Sequence, residues 1–485
     1  MEVRNLEPKS LWNHFADLNA VPRPSKKEER VIAFMMDFGK SLGLETIQDR
    51  IGNVIIKKPA TAGMEERQTI VMQSHLDMGH QKNSDTVFDF DTQGIEMLVD
   101  GDWVRARGTT LGADNGIGVA AIMAVLKSTD IAHPAIEALF TIDEETGMTG
   151  ALQVDASNIT GTILLNLDTE DDDELSIGCA GGIDTNTKAV IAYEGLPENY
   201  TCFEIKLRGL LGGHSGMDIH LGRGNANKWM NRLFYHVKSV VDLKLCSLEG
   251  GSLRNAIPRE STAVVAVPNE GKALFHQAAD EIIARIKAEY QSIEKEANWT
   301  IVETSGLTKS VKDSDFKRII HAIYAVHNGV YRMSPAIEGL VEASSSLAKV
   351  TVADGLFTTQ SLQRSSVESS KADVANTIRA AFESVGVEVV QGGEYPGWEP
   401  NADSAILKLM ADLYRESFHA EPNIKACHAG LECGILGEHF PGMDMISFGP
   451  NIRGAHSPDE CVQISSVQKF WGYLLEVLKR IPEKK

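Results

Sequence analysis

Thr69-Ile70-Val71-Met72-Gln73-Ser74-His75-Leu76-Asp77 is the stretch on which the fold reading turns. Residues 69–72 form a short apolar run of the kind that fills a buried strand, and the polar pair His75 and Asp77 follows after Gln73-Ser74. The pattern recurs. Residues 136–142 and 162–167 are further short apolar runs, followed by Glu144-Glu145 and by Asp168. Between the first two lies 115–127, an apolar helical segment that begins in the glycine-flanked turn Gly112-Ala113-Asp114-Asn115-Gly116. Strand, helix, strand, strand in this order is α/β organisation.

The chain on either side fits that frame. Upstream, Ser25-Lys26-Lys27-Glu28 has capping-box spacing after Pro22 and Pro24, and Val31, Met35, Phe38 and Leu42 then follow at helical spacing. Near Ile183 the style changes to hairpin-like strands at 202–208 and 261–267 and amphipathic helices at 225–240 and 273–294. These strands alternate as in a sheet covered on one face. The turn-rich Gly392-Gly393-Glu394-Tyr395-Pro396-Gly397 marks a second junction, after which α/β style returns with a helix at 404–418, a strand at 443–448 and a closing helix at 466–481. The expected organisation is one α/β domain, 1–186 and 396–485, with a central mixed sheet flanked by helices, interrupted by an inserted α+β domain at 187–395.

Bulk properties narrow the function classes. A chain of 485 residues is too long for one ordinary core. With 43% hydrophobic and 24% charged residues it has the balance of a soluble enzyme, and no apolar run reaches the roughly 18 residues of a membrane span. The net charge of −20 repels phosphate backbones, so no nucleic-acid partner is expected. Residues 1–10 lack a charged segment followed by an apolar one, so no export signal is expected. Six scattered cysteines without a Cys-x-x-Cys pair read as reduced thiols, and a cytoplasmic location is expected.

Five positions carry the chemistry. His75, Glu144-Glu145 and Asp168 follow expected strands, His456 lies beyond the strand at 443–448, and Asp114 sits in the glycine turn. Ligands of open α/β sheets collect at the carboxyl ends of strands, so separate loops deliver two imidazoles and several carboxylates to one rim. That donor set suits borderline divalent ions of the zinc class, and carboxylate tolerates cobalt or manganese. In a two-ion site one carboxylate bridges ions about 3.5–4 Å apart, and Asp114 is placed for it. Asp77, two residues from His75, is able to accept from the second ring nitrogen and fix the tautomer. Of the adjacent glutamates, one is free to ligate while the other stays a base. His80, His133, His220, His428 and His439 read as structural.

Taken together, Ser74-His75-Leu76-Asp77-Met78, Gly112-Ala113-Asp114-Asn115-Gly116, Asp143-Glu144-Glu145-Thr146-Gly147, Asn166-Leu167-Asp168 and Gly454-Ala455-His456-Ser457-Pro458 resemble the dinuclear-zinc exopeptidases, the family that includes carnosinase, carboxypeptidase G and peptidase T. The resemblance covers nearly the whole chain. It implies two Zn²⁺ per subunit, with Co²⁺ or Mn²⁺ substituting. His75 and Asp168 would hold one ion, Glu145 and His456 the other, and Asp114 would bridge. Asp77 would orient His75, and Glu144 would be the general base toward a metal-bridged water. It also implies a cis Asp114–Asn115 peptide bond. In the inserted domain, expected to be a lid and dimerisation domain, Gly212-Gly213-His214-Ser215-Gly216 matches a motif whose histidine serves a neighbouring subunit's site. Asn255 in Arg254-Asn255-Ala256-Ile257-Pro258, Arg364 in Arg364-Ser365-Ser366 and Gly430 in His428-Ala429-Gly430 match substrate-binding positions. The implied activity is hydrolysis of unblocked dipeptides, including Xaa-His and carnosine-type substrates, by a homodimer. The alternative is an N-acyl amino-acid deacylase or tripeptidase of the same superfamily.

Overall fold

A computed structural model describes residues 2–83 and 85–484. The chain divides into two compact units. The first comprises Met1–Gly178, Trp398–Ala426 and Leu431–Lys485, and the second Cys179–Gly397 and Cys427–Gly430.

The first unit is built on an eight-stranded mixed sheet in the order Glu45–Gln48, Val54–Lys58, Ile136–Thr141, Ile70–His75, Ile163–Asn166, Asp444–Ser447, Glu174–Cys179, Asn423–Cys427. The four strands from Ile136–Thr141 to Asp444–Ser447 run parallel. Every residue of Ile136–Thr141, Ile70–His75 and Ile163–Asn166 is buried, which is why they read as unbroken apolar runs and not as alternating ones. The helix Ala113–Lys127 is buried nearly all round, so it carries no amphipathic stripe. Lys9–Asn19 packs on it, and Ala405–Phe418 packs on Ile464–Arg480. A four-stranded sheet, Ile452–Arg453, Cys461–Gln463, Trp103–Ala106 and Met97–Asp100, completes the unit.

The capping-box expectation at Ser25–Glu28 is corrected. The helix Glu29–Ser41 starts without a side-chain cap. Ser25 donates instead to Asp77 at 2.7 Å, and Glu28 accepts from the Lys26 and Asp143 amides. A buried carboxylate in need of donors outcompetes a helix end that water also satisfies.

The second unit centres on a nine-stranded sheet whose recorded pairings are antiparallel. Alternate residues of Tyr200–Arg208 and Ser261–Pro268 are buried, as the sequence alternation implies. The core of this unit gathers Trp229, Phe234, Phe275, Phe316, Phe357 and Phe382 from helices and strands. The long hairpin Val341–Ala353 and Leu356–Ser365 turns through Asp354-Gly355, both at positive φ, the turn geometry that matches strand twist. Residues 179–186, assigned to the first domain from sequence, belong to this unit because Gly181–Val190 pairs along its whole length with Leu356–Ser365. The turn-rich segment at 392–397 is also more regular than its composition: Glu388–Tyr395 is a strand with an irregularity between Gly392 and Tyr395.

Candidate active site

Three of the expected ligands, His75, Glu145 and Asp168, stand at or beyond the carboxyl ends of the parallel strands, whereas His456 follows an antiparallel strand of the four-stranded sheet. His75 closes its strand, Glu144 and Glu145 open the short helix Glu144–Gly147 after Ile136–Thr141, Asp168 lies two residues past Ile163–Asn166, and His456 follows Ile452–Arg453. Asp114 occupies the non-helical start of the buried helix, and the Asp114–Asn115 peptide bond is cis.

The side chains converge on Asp114. Its Oδ1 lies 3.1 Å from His75 Nε2 and its Oδ2 3.2 Å from His456 Nε2, so one carboxylate faces two imidazoles with separate oxygens. Asp168 Oδ1 is 3.6 Å from His75 Nε2, Glu144 Oε2 is 3.8 Å from the same atom, and Glu145 Oε2 is 2.8 Å from His456 Nε2. His75, Asp114 and Glu145 offer ligand atoms that all lie within 4.8 Å of one another.

Asp77 does two things. Its Oδ1 lies 3.4 Å from His75 Nδ1, with its main-chain oxygen nearer at 3.1 Å. The same carboxylate accepts from the amides of Glu144 at 3.0 Å and Glu145 at 3.2 Å and from Ser25 Oγ, so it fixes the two glutamates as well as the imidazole.

The electrostatics suit a cation. Burial raises Glu144 well above the carboxylate range; His75 opposes this, and Asp168, Glu145 and Glu432 add to it. Burial, with Asp114 and Glu145, pushes Asp168 up to about 6. Hydrogen bonds to Asp114 and Glu145 push His456 up to about 11. Burial alone would depress His75, but Asp168, Asp114 and Asp77 hold it well above its usual value. A buried anionic cluster that otherwise recruits protons is the setting divalent ions neutralise, and imidazole with carboxylate is a zinc-class donor set. The residues fit a metal site.

Residues 71–480 match the pattern of peptidase family M20/M25/M40. The chain belongs to that family. This M20 chain is 41% identical over 497 aligned positions to the cytosol non-specific dipeptidase of Escherichia coli K12, a match covering 100% of both chains. Among solved structures it is similar to the aminoacylhistidine dipeptidase of Vibrio alginolyticus, with a TM-score of 0.92, 43% identity and coverage of 100% and 99%. The aminopeptidase PepT of Bacillus cereus shares the fold at a TM-score of 0.56 and 15% identity, over 98% and 99% of the two chains.

In the second unit of the M20 chain, His214 and Arg364 meet. His214 Nδ1 accepts from the amides of Gly216 at 3.1 Å and Met217 at 3.0 Å, so the ring hydrogen sits on Nε2. Burial, then Arg364, lowers His214 to about 4, which keeps it neutral at physiological pH. The loop is pinned by Glu294, which accepts from the Leu211 and Gly224 amides. Asn255 is exposed, and its carbonyl accepts from Ser215 N at 2.9 Å, tying its loop to that of His214. Gly430 follows His428, whose Nε2 lies 2.7 Å from Ser344 Oγ; a Cβ on Gly216 would collide with the His428 carbonyl oxygen. The resemblance gives His214 to a neighbouring subunit's site; here its Nε2 is 3.5 Å from Arg364 Nη2 of its own chain.

Sequence reasoning missed the residues that brace the site. Arg23, 1% exposed, donates to the carbonyls of Leu76, Asp77 and Gly112, clamping the His75 and Asp114 loops together. Glu460 accepts the amides of Leu111, Gly112, Ala113 and Asp114 at 2.7–3.2 Å. Burial, then Asp114, pushes Glu460 up to about 7 against the pull of those donors, and cations at Asp114 would relieve the second cause. Beneath the strand ends runs a buried polar chain, Thr169, Ser447, Asn166, Gln73 and Glu432, closed by Thr141. The available signal was a polar residue inside an apolar run: Gln73 and Asn166 each lie two positions before a candidate ligand.

Proposed function

We propose that the chain is a metal-dependent dipeptidase that hydrolyses unblocked dipeptides in the cytoplasm. The observation that carries this is Asp114, whose two oxygens address His75 and His456 separately. His75 and Asp168 would hold one divalent ion, Glu145 and His456 a second, with Asp114 between them; zinc is the proposed metal, with cobalt or manganese substituting. Two ions so held would acidify a water and polarise the scissile carbonyl.

The chain's own residues do the rest. Glu144, fixed through its amide to Asp77, takes the proton of the attacking water and passes it to the departing amine. Asp77 keeps His75 in one tautomer. The second unit serves as the lid. His214 offers its Nε2 hydrogen to the developing oxyanion, and Arg364 grips the substrate's terminal carboxylate, with Asn255 and the Gly430 segment completing the pocket. The full-length relatives, one named for non-specific dipeptides and one for aminoacylhistidine, support a dipeptide substrate with histidine accepted at its C-terminal position.

The test uses metal-loaded protein with four substrates: a free dipeptide ending in histidine, its C-terminal amide, a tripeptide and an N-acetyl amino acid. The free dipeptide should be hydrolysed far faster than the others, and chelation should abolish turnover until zinc is restored. Full activity in metal-free protein, or equal cleavage of amide and free acid, would end this reading. Preference for the tripeptide or the N-acetyl substrate would move the chain to a sister activity. The working form is proposed to be a homodimer joined through the lid, for which sedimentation equilibrium at micromolar concentration should give the mass of two chains; a single-chain mass would reject it.

A further inference from the structure

Arg364 is 4% exposed, and its Nε has no hydrogen-bond partner among the described residues. Its Nη1 is satisfied, donating to Tyr395 Oη at 2.8 Å. Its Nη2 lies 3.5 Å from His214 Nε2, which carries a hydrogen of its own, so that contact joins two donors and satisfies neither. One edge of the guanidinium is therefore held, and the other, Nε with Nη2, is a buried pair of donors awaiting an acceptor.

The sheet explains why Tyr395 is the residue that reaches Arg364. Gly182 pairs with Arg364 on one side and with Tyr395 on the other, so the three lie in one row across adjacent strands. The middle position has no side chain, and the Tyr395 ring lies across it: a Cβ on Gly182 would sit 2.6 Å from ring atoms. The ring thus spans one strand, about 4.8 Å, to set its hydroxyl against the guanidinium on the next. Its backbone is anchored as well. Lys371, 1% exposed, donates from Nζ to the Tyr395 carbonyl at 2.9 Å and pairs with Glu368 and Glu394.

We propose that Tyr395 is a positioning residue for substrate recognition: its hydroxyl fixes the plane of the Arg364 guanidinium so that Nε and Nη2 present a two-pronged face to the dipeptide's terminal carboxylate. This rests on the reading of Arg364 as the carboxylate grip. A planar fork recognises a carboxylate only when its plane is set, and a hydrogen bond at the opposite edge sets it without competing for the same donors. Losing that bond weakens substrate binding and leaves the proton transfers at Glu144 untouched, so the effect belongs in KM.

Tyr395→Phe tests this, because the ring still fills the space over Gly182 and only the hydroxyl is lost. Wild type, Tyr395→Phe and Arg364→Ala, each metal-loaded and matched for thermal unfolding, are assayed on a free dipeptide and its C-terminal amide. Tyr395→Phe should raise KM for the free dipeptide about tenfold, the loss expected for one hydrogen bond to a charged group, with kcat changed less than twofold. KM for the amide should move less than twofold. If Arg364→Ala abolishes the preference for the free acid while Tyr395→Phe keeps the wild-type KM, the role of Tyr395 is refuted and the carboxylate reading stands. If the wild type itself shows no preference, the carboxylate reading fails first. If Tyr395→Phe harms free acid and amide equally, its role is structural and the proposal is overturned.

Discussion

Glu144→Gln protein should keep its full metal content while kcat falls about 10²–10⁴-fold, the contribution of a positioned general base. Glutamine preserves the size and planarity of the side chain but accepts no proton. The geometry argues that metal content survives. Glu144 Oε2 is the most distant of the three carboxylates around His75 Nε2, at 3.8 Å, behind Asp114 at 3.1 Å and Asp168 at 3.6 Å. Its backbone is held by Asp77 through the amide, a bond the substitution leaves in place. Glu145, its neighbour, behaves differently: it touches His456 at 2.8 Å and the Gly79 amide at 3.0 Å, so Glu145→Gln should lose metal as well as turnover. Steady-state kinetics paired with elemental analysis separates the two. Near-normal kcat in the Glu144 variant would show that another group moves the proton.

The contrast between those two glutamates marks how far the sequence could be read. Their place after a buried strand was legible, because residues 136–142 form an apolar run broken only at Glu137 and Thr141. Asp168 and His75 were legible for the same reason. Burial on both faces removes alternation, the run stops where the sheet stops, and the first polar residues beyond it face the rim. Which glutamate ligates and which acts as base rested on the family resemblance, since two adjacent carboxylates carry no difference in pattern.

What escaped were the partners that hold those residues. Arg23 lies between two prolines and carries no pattern of its own, yet it reaches Leu76, Asp77 and Gly112. Ser25 carried a local signal, helix capping, that a long-range bond to Asp77 overrides. Tyr395 sat in a glycine-rich stretch whose composition says turn, where the cross-strand pairing with Gly182 makes strand. Each is a polar or irregular position whose meaning lies in a contact across the chain, and periodicity reports only on neighbours in sequence.

Glu460 is the extreme case, and its replacement gives the largest expected loss of stability. Glu460→Ala should lower the unfolding free energy by at least about 3 kcal/mol and weaken metal binding about 10–100-fold. The carboxylate is 2% exposed and takes the amides of Leu111 and Gly112 on one oxygen and of Ala113 and Asp114 on the other. These are the unsatisfied donors at the start of the buried helix Ala113–Lys127, where a negative charge also meets the positive end of the helix dipole. Alanine leaves the amides of Leu111, Gly112 and Ala113 buried without acceptors, at about 1–3 kcal/mol each before any water enters the space left behind, and the partly buried Asp114 amide unpaired as well. The turn they belong to carries Asp114, so its loosening moves the carboxylate that addresses both imidazoles, and metal affinity falls along with stability. Glu460→Gln should be milder in both respects, because one oxygen still accepts while the new amide opposes the remaining donors. Denaturant unfolding of metal-free protein isolates the stability change, and zinc titration against a competing chelator reads the affinity. An alanine variant with wild-type midpoint and wild-type zinc affinity would show that the Asp114 turn holds its shape without Glu460.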